Sequence, residues 1–200
     1  MYSSRLIKYY YPSYFIWDIP SETEDIYLTF DDGPVNSITN SVLRILDDFK
    51  VKATFFCVGD NVIKYPDCFS ELLNSGHVVG NHTHNHLNGW KTNKENYYRN
   101  VEDCNKVVRS PLFRPPYGRI TYNQASEIKE HYKIIMWSVL SYDFDAKLSA
   151  NECLKNSITY TRKGSIIVFH DNIKAEKNLS YVLPRYIEYF LKKSYNFKTL

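Results

Sequence analysis

No stretch of this 200-residue chain approaches the roughly 20 consecutive apolar residues that a membrane-spanning helix needs, so the sequence predicts no transmembrane segment. A secretory leader is not legible either. Residues 1–17 carry Arg5 and Lys8, but Pro12 cuts the aromatic run, and Asp18, Pro20 and Glu22 follow where small cleavage-site residues would stand. The address expected on that ground is cytoplasmic. The four cysteines, Cys57, Cys68, Cys104 and Cys153, form no C-x-x-C pair and no zinc-finger spacing, which excludes a small metal-stapled module and predicts buried, reduced thiols. Charge of one sign is not concentrated: the 25 Lys and Arg are dispersed and the net charge is only +3, so nucleic acid is not an expected partner. There is no internal repeat and no low-complexity linker.

What is present is enough chain for one substantial core without disulfide staples. The composition, 44% hydrophobic and 24% charged with a mean hydropathy of −0.43, is that of a globular protein. Residues 1–200 read as one domain, with the Tyr-rich 1–25 as an N-terminal extension that packs over the bottom of the fold. From Ile26 onward, short apolar runs alternate with longer helical patterns, the rhythm of βα units and a parallel sheet. Seven strands are expected, at 26–30, 53–58, 77–80, 112–114, 133–138, 165–169 and 197–200. Between them, 37–49 and 179–193 carry apolar residues at helical spacing, Val42, Ile45, Leu46 and Phe49 in one and Leu183, Tyr186, Ile187 and Phe190 in the other.

Reactive side chains follow the strands. Asp31 and Asp32 come after the first, His82 and His86 after the third, Arg114 and Tyr117 after the fourth, Asp143 after the fifth and His170 after the sixth. In βα architectures sites form at the carboxyl ends of strands, so all of these share one face. Asp31-Asp32-Gly33-Pro34 sets two carboxylates side by side before a turn. Adjacent residues emerge in different directions, so one can bind a metal while the other faces substrate; as an isolated tetrapeptide it is equally a plain turn. The outer histidines of His82-Thr83-His84-Asn85-His86 face one point if the segment makes a helical turn. Two His and one carboxylate leave coordination positions open, the arrangement of a catalytic rather than a structural metal site. His84 points elsewhere on such a turn.

Taken in order, Thr29-Phe30-Asp31-Asp32-Gly33-Pro34, His82-Thr83-x-x-His86, Arg114-Pro115-Pro116-Tyr117-Gly118, Asp143-Phe144 and Val168-Phe169-His170-Asp171 resemble the motifs of the polysaccharide deacetylases, the NodB homology domain of carbohydrate esterase family 4. The resemblance runs from about Ile26 to Leu200. It implies a distorted α/β barrel, a (β/α) barrel of about seven parallel strands, and a metal-dependent hydrolase that removes N-acetyl groups from N-acetylated sugars. It implies one divalent metal ion, zinc first, with cobalt or nickel as substitutes, held by Asp32, His82 and His86. Asp31 then resembles the general base acting on water at the metal, and Arg114 the cation that holds that base ionised. Tyr117 resembles the residue whose backbone N–H receives the oxyanion, His170 the general acid, and Asp143 the carboxylate that orients it. Pro116, Tyr117, Phe144, Val168 and Trp90 are the expected substrate contacts, and an N-acetylated glycan or oligosaccharide is the expected partner.

Three positions depart from the family pattern. Leu140 stands where an Asp is frequent, Phe144 where a Trp is, and Val168 where a Leu is common. The last two bear on the pocket for the acetyl methyl group. Two rival readings stay open at this level: hydrolysis of another amide or cyclic imide on the same scaffold, and a non-catalytic glycan-binding protein.

Overall fold

The structure is a computed structural model that describes residues 7–200. The start of the expected N-terminal extension, residues 1–6, lies outside the described residues. Among the described residues nine strands occur: β1 Phe15–Ile16, β2 Asp25–Asp31, β3 Thr54–Cys57, β4 Val78–Asn81, β5 Leu112–Phe113, β6 Lys133–Ile135, β7 Val139–Leu140, β8 Ile166–His170 and β9 Asn196–Lys198. They are joined by α1 Asn36–Asp48, α2 Gly59–Lys64, α3 Pro66–Asn74, α4 Lys94–Val108, α5 Tyr122–Ile128, α6 Ala150–Tyr160 and α7 Glu176–Lys192. All strand pairings among the described residues are parallel, in the order β1-β6-β5-β4-β3-β2-β8-β7, with β9 beside the first half of β2.

The sheet must curl. β6 and β7 lie near its opposite ends yet are joined by only Met136, Trp137 and Ser138, a path that reaches about 14 Å at most when fully extended. That connector touches both ends: Met136 N donates to Ile16 O of β1 (2.7 Å) and Ser138 N to Ile166 O of β8 (3.1 Å). The result is the distorted (β/α) barrel. Side chains alternate between two cores, as the period of 2 along a strand requires. Leu28, Phe30, Phe55, Ile167 and Phe169 point outward beneath the helices. Phe56, Leu112, Ile135 and Ile166, with Tyr27 and Val78 packed against them, point into the barrel, and the rows that start at Tyr27, Val78 and Ile166 reach Asp31, His82 and His170 four residues later.

Two strands escape the sequence reading, and each has a physical reason. The expected strand 133–138 is cut after Ile135 because the Arg114 guanidinium takes the carbonyls that would continue the ladder, Nε to Ile135 O (3.2 Å) and Nη2 to Met136 O (3.0 Å). The chain then crosses to the far edge as β7, so Asp143 follows β7 rather than the expected fifth strand. The other is in the N-terminal extension. Instead of only covering the bottom of the barrel, it adds β1 to the free edge of β6, with Phe15 and Trp17 buried against Tyr97 and Val101 of α4 and Ala125 and Ile128 of α5. Lys8 pairs with Asp18 at 2.6 Å. The four cysteines are buried and free, as expected.

His77 opens the approach to β4 and accepts the Ala53 N–H on Nδ1 (3.1 Å). Burial, then Lys52, pushes its pKa down to about 4. A depressed folded-state value contributes stability that is present above the unfolded value of about 6.5 and is lost as pH falls through the folded value. The denaturant midpoint is therefore expected to drop between pH 6.5 and pH 4. His77→Asn, whose amide oxygen can accept the same bond without titrating, should flatten that part of the profile; an unchanged slope would assign the acid sensitivity to other groups.

Candidate active site

Asp31 is the last residue of β2 and Asp32 the first beyond it. Asp32 takes φ 83°, which turns the second carboxylate away from the first. Gly33 then passes so close to Asp171 that a Cβ there would lie 1.9 Å from Asp171 Oδ2. In place of that side chain, Gly33 N donates to Asp171 Oδ1 (3.0 Å), and Thr39 donates its hydroxyl to Oδ2 (2.6 Å). Burial, and then the Asp32 charge, outweigh these hydrogen bonds and raise the Asp171 pKa to about 7.

Three ligand-type atoms, one each from Asp32, His82 and His86, lie within 4.8 Å of one another. Asp32 Oδ1 is 3.5 Å from His82 Nε2 and 3.0 Å from His86 Nε2. The outer hydrogen bonds orient the set. His82 Nδ1 donates to Arg114 O (2.8 Å), which leaves its Nε2 lone pair facing Asp32. Asn172 donates to Asp32 Oδ2 (2.5 Å), which leaves Oδ1 facing the histidines. This donor set fits a divalent ion with three protein ligands and open positions. Burial opposes the Asp32 charge, but the imidazoles of His82, His86 and His170 around it win, and its pKa lies well below the usual carboxylate range.

The expected helical turn through the histidines does not form. Asn81 Oδ1 takes the Thr83 N–H (2.9 Å) and Thr83 Oγ1 takes the Leu87 N–H (2.9 Å), so side chains replace helical bonds. Thr83 (φ 62°) and His86 (φ 54°) are left-handed, and the histidines converge on a loop instead. His84 lies apart, its Nε2 3.2 Å from Asp60.

Asp31 divides its two oxygens. Oδ1 accepts from Arg114 Nη1 (2.7 Å), and Oδ2 lies 3.9 Å from His82 Nε2, toward the metal-type cluster. Arg114 is fully buried, against the Phe56 ring at 4.0 Å, and Nη1 also donates to Thr29 Oγ1 (2.7 Å). Across the opening, His170 Nδ1 donates to Asp143 Oδ1 (2.7 Å) while its backbone N–H donates to Asp143 Oδ2 (2.8 Å). That bidentate hold fixes the ring with Nε2 free. Burial alone would depress the His170 pKa, but the charge and hydrogen bond of Asp143, helped by Asp32 and Asp31, raise it to about 9.

These groups open into a cleft of about 830 Å³. Trp137, Leu140, Tyr142, Phe144 and Val168 form its apolar wall, and Phe144 meets the His170 ring edge-on at 4.8 Å. Tyr117, at φ 61°, lays its ring against His86 (4.6 Å). Its turn closes through Gly118 N to Pro115 O and Arg119 N to Pro116 O (3.0 Å each), bonds that do not use the Tyr117 N–H. Of the other expected substrate contacts, Pro116 is buried in that turn, and Trp90 lies outside the residues that line the cleft. Asn172, Asp171, Thr29 and Asn61, which donates to Asp32 O (2.7 Å), were not singled out by sequence. Asp171 and Thr29 carried a signal, as members of the motifs around His170 and Asp31.

Comparison with known proteins agrees with this geometry. The polysaccharide deacetylase family matches residues 18–133, more than half of the chain. A peptidoglycan-N-acetylglucosamine deacetylase of Bacillus cereus is 35% identical over 158 residues, 76% of this chain, which spans 57% of that relative's length. The crystal structure of the Bc1960 peptidoglycan N-acetylglucosamine deacetylase superposes with a TM-score of 0.89 at 30% identity, over 98% of this chain and 94% of its own. A family 4 pseudoenzyme from Bacillus anthracis shares the fold at a TM-score of 0.84 and 20% identity, over 93% of this chain and 67% of its own. With the motif residues gathered at one barrel mouth and more than half of the sequence matched, the chain belongs to the polysaccharide deacetylase family, the NodB homology domain of carbohydrate esterase family 4.

Proposed function

We propose that this chain, as a single deacetylase domain, hydrolyses the N-acetyl group of an N-acetylated glycan, releasing acetate and a free amine. The observation that carries the reading is the paired division of labour around one cleft. Asp31 turns one oxygen to Arg114 and the other to the metal-type cluster, and His170 faces them with Asp143 behind it. Two of the named relatives are peptidoglycan N-acetylglucosamine deacetylases, which makes glycans of N-acetylglucosamine the first substrates to examine.

In this reading Asp32, His82 and His86 hold one divalent ion, zinc first and cobalt or nickel as substitutes, since affinity order alone does not choose among them. When bound, such an ion supplies Lewis acidity, polarising the amide carbonyl and making water more acidic. The protein does the rest. Asp31 Oδ2 takes a proton from the attacking water, and Arg114 holds Asp31 in place through Oδ1. The N–H of Tyr117 receives the developing oxyanion, a preorganised contact of a kind typically worth about 10²–10³ in rate. His170 Nε2 gives its proton to the departing nitrogen, which leaves as an amine, while Asp143 stabilises the charged ring beforehand. Val168, Phe144 and Leu140 exclude water around the acetyl methyl group.

Acetate release from N-acetylglucosamine oligomers is the deciding experiment. Purified protein should release acetate, lose at least about 10²-fold of that activity on chelation, and regain it with zinc, in line with the size of charge-stabilising effects in active sites. Absence of acetate from N-acetylated and O-acetylated glycans alike, with metal supplied, would leave a glycan-binding protein without turnover. Activity indifferent to chelation would sink the ligand assignment.

A further inference from the structure

Beyond the cleft, a strip of surface combines aromatic exposure with a rigid frame. Trp90, Tyr117 and Tyr122 are 61%, 59% and 62% exposed, and Tyr10 is 83% exposed. Single exposed aromatics are ordinary, but these are strung together. Tyr117 and Arg119 line the cleft. The Arg119 guanidinium lies 5.1 Å from the Trp90 ring centroid, and Trp90 Nε1 donates to Ile120 O (3.3 Å). Tyr122, at the start of α5, reaches Tyr10 O with its hydroxyl (3.5 Å). From Tyr117 to Tyr122 the chain spans at most about 18 Å, so the strip starts at the cleft lining and stays within that reach of Tyr117.

The indole is held in place by a frame of polar groups, of which Gln124 also caps the start of α5 with its Oε1. Asn88 Oδ1 accepts Trp90 N (3.0 Å), and Gly89 N donates to Arg119 O (3.1 Å). A Cβ on Gly89 would stand 2.4 Å from that same oxygen, so the close approach needs glycine. Buried Gln124 donates to both Gly89 O and Thr92 O (2.9 Å each). A flat apolar ring fixed at the surface is pre-organised for a partner with a flat apolar face and polar edges. Sugar rings have that shape, with C–H groups on their faces and hydroxyls at their rims, and Arg119 supplies donors for the hydroxyls. A bilayer would call for a broader apolar face with several cations, and a nucleic acid for several phosphate contacts; Arg119 is the only charged member of the strip.

We propose that Trp90, Arg119, Tyr122 and Tyr10 form an extended glycan subsite, which holds further sugar units of a long chain whose reacting unit lies in the cleft. The proposal rests on the deacetylase reading of that cleft, and the test separates the two. Acetate release is measured as kcat/KM on N-acetylglucosamine dimer and hexamer, and hexamer affinity is measured by calorimetry in the Asp31→Asn background. The hexamer should exceed the dimer by about tenfold or more, the scale of one or two well-made aromatic contacts. That ratio should collapse toward one in Trp90→Ala and fall in Tyr122→Ala, with Trp90→Phe recovering most of it. Hexamer affinity in the Asp31→Asn background should fall by a similar factor when Trp90→Ala is added. Equal efficiency on dimer and hexamer in an active enzyme, or a ratio untouched by both variants, overturns the subsite and leaves the deacetylase reading standing. Hexamer binding weakened by Trp90→Ala in a protein that releases no acetate supports the subsite and sinks the deacetylase reading.

Discussion

Replacing Asp31 by Asn is expected to lower turnover by at least about 10², the lower end of general-base contributions, while metal content stays at the wild-type level. The two adjacent carboxylates should fail differently because the structure gives them different partners. Asp32 presents Oδ1 to both histidines, so Asp32→Asn should strip the metal together with the activity. Asp31 reaches the cluster only at 3.9 Å and is committed to Arg114 on its other oxygen. There is a second expected cost. Arg114 is fully buried, and burial already works against its charge while Asp31 supports it. Removing one member of a buried pair typically costs about 3–5 kcal/mol, moderated here by Thr29 and the carbonyls of Ile135 and Met136. Elemental analysis, acetate release and a denaturant midpoint on both variants distinguish the cases. Equal metal loss in the two would show that both carboxylates coordinate.

Removal of His170 should be nearly as damaging, but selectively. His170→Ala is expected to slow amide hydrolysis by about 10²–10⁴ and to affect an aryl acetate much less, because an aryl oxide departs without a proton. The pH profile gives an independent reading. The His170 pKa is raised to about 9 against the opposing effect of burial, so the acid form is complete at neutral pH and is lost as pH rises through that region. A bound divalent ion offsets the help from Asp32 and brings the alkaline limb below about 9. Asp143→Asn withdraws the largest favourable contribution and leaves burial opposed only by the weaker help of Asp32 and Asp31, so the limb should move to lower pH as turnover drops. If His170→Ala slowed ester and amide by the same factor, the residue would act in binding or attack instead of leaving-group protonation.

The sequence was most legible where a side chain's role follows from its own strand. Asp31, His82 and His170 each follow an apolar run readable as a strand, and α1 and α7 were anticipated to within a few residues. What stayed hidden depends on partners far away in sequence. β7 could not be separated from β6 because the break after Ile135 is imposed by Arg114, some twenty residues earlier. β1 is two residues long and pairs only because β6 offers a free edge. Spacing suggested a helical turn for the histidines, and local side-chain bonds from Asn81 and Thr83 overrode it. Asn172 and Asn61 fix Asp32 from two other loops, and an isolated asparagine gives no sequence sign of that duty. Trp90 was expected as a substrate contact from its position after the histidines, but its setting outside the cleft lining, beside the Gly89–Arg119 contact, could not be read from spacing.

Arg114 joins two tasks in one side chain: it gathers the carbonyls where the barrel closes, and it neutralises the carboxylate assigned as base. Mutational drift is therefore not free to erase every part of the site with equal ease. A gene copy released from selection for turnover could shed His170 or a metal ligand at the cleft rim with modest harm to folding. Loss of Asp31 would strand a buried cation at the seam of the barrel and send much of the product to proteolysis before any new use arose. Inactive descendants of such a chain should thus keep Arg114 and a charge or hydrogen-bond partner for it longer than they keep the acid. Survival of that pair in a decayed sequence would report on folding, and would not by itself be a sign of retained chemistry.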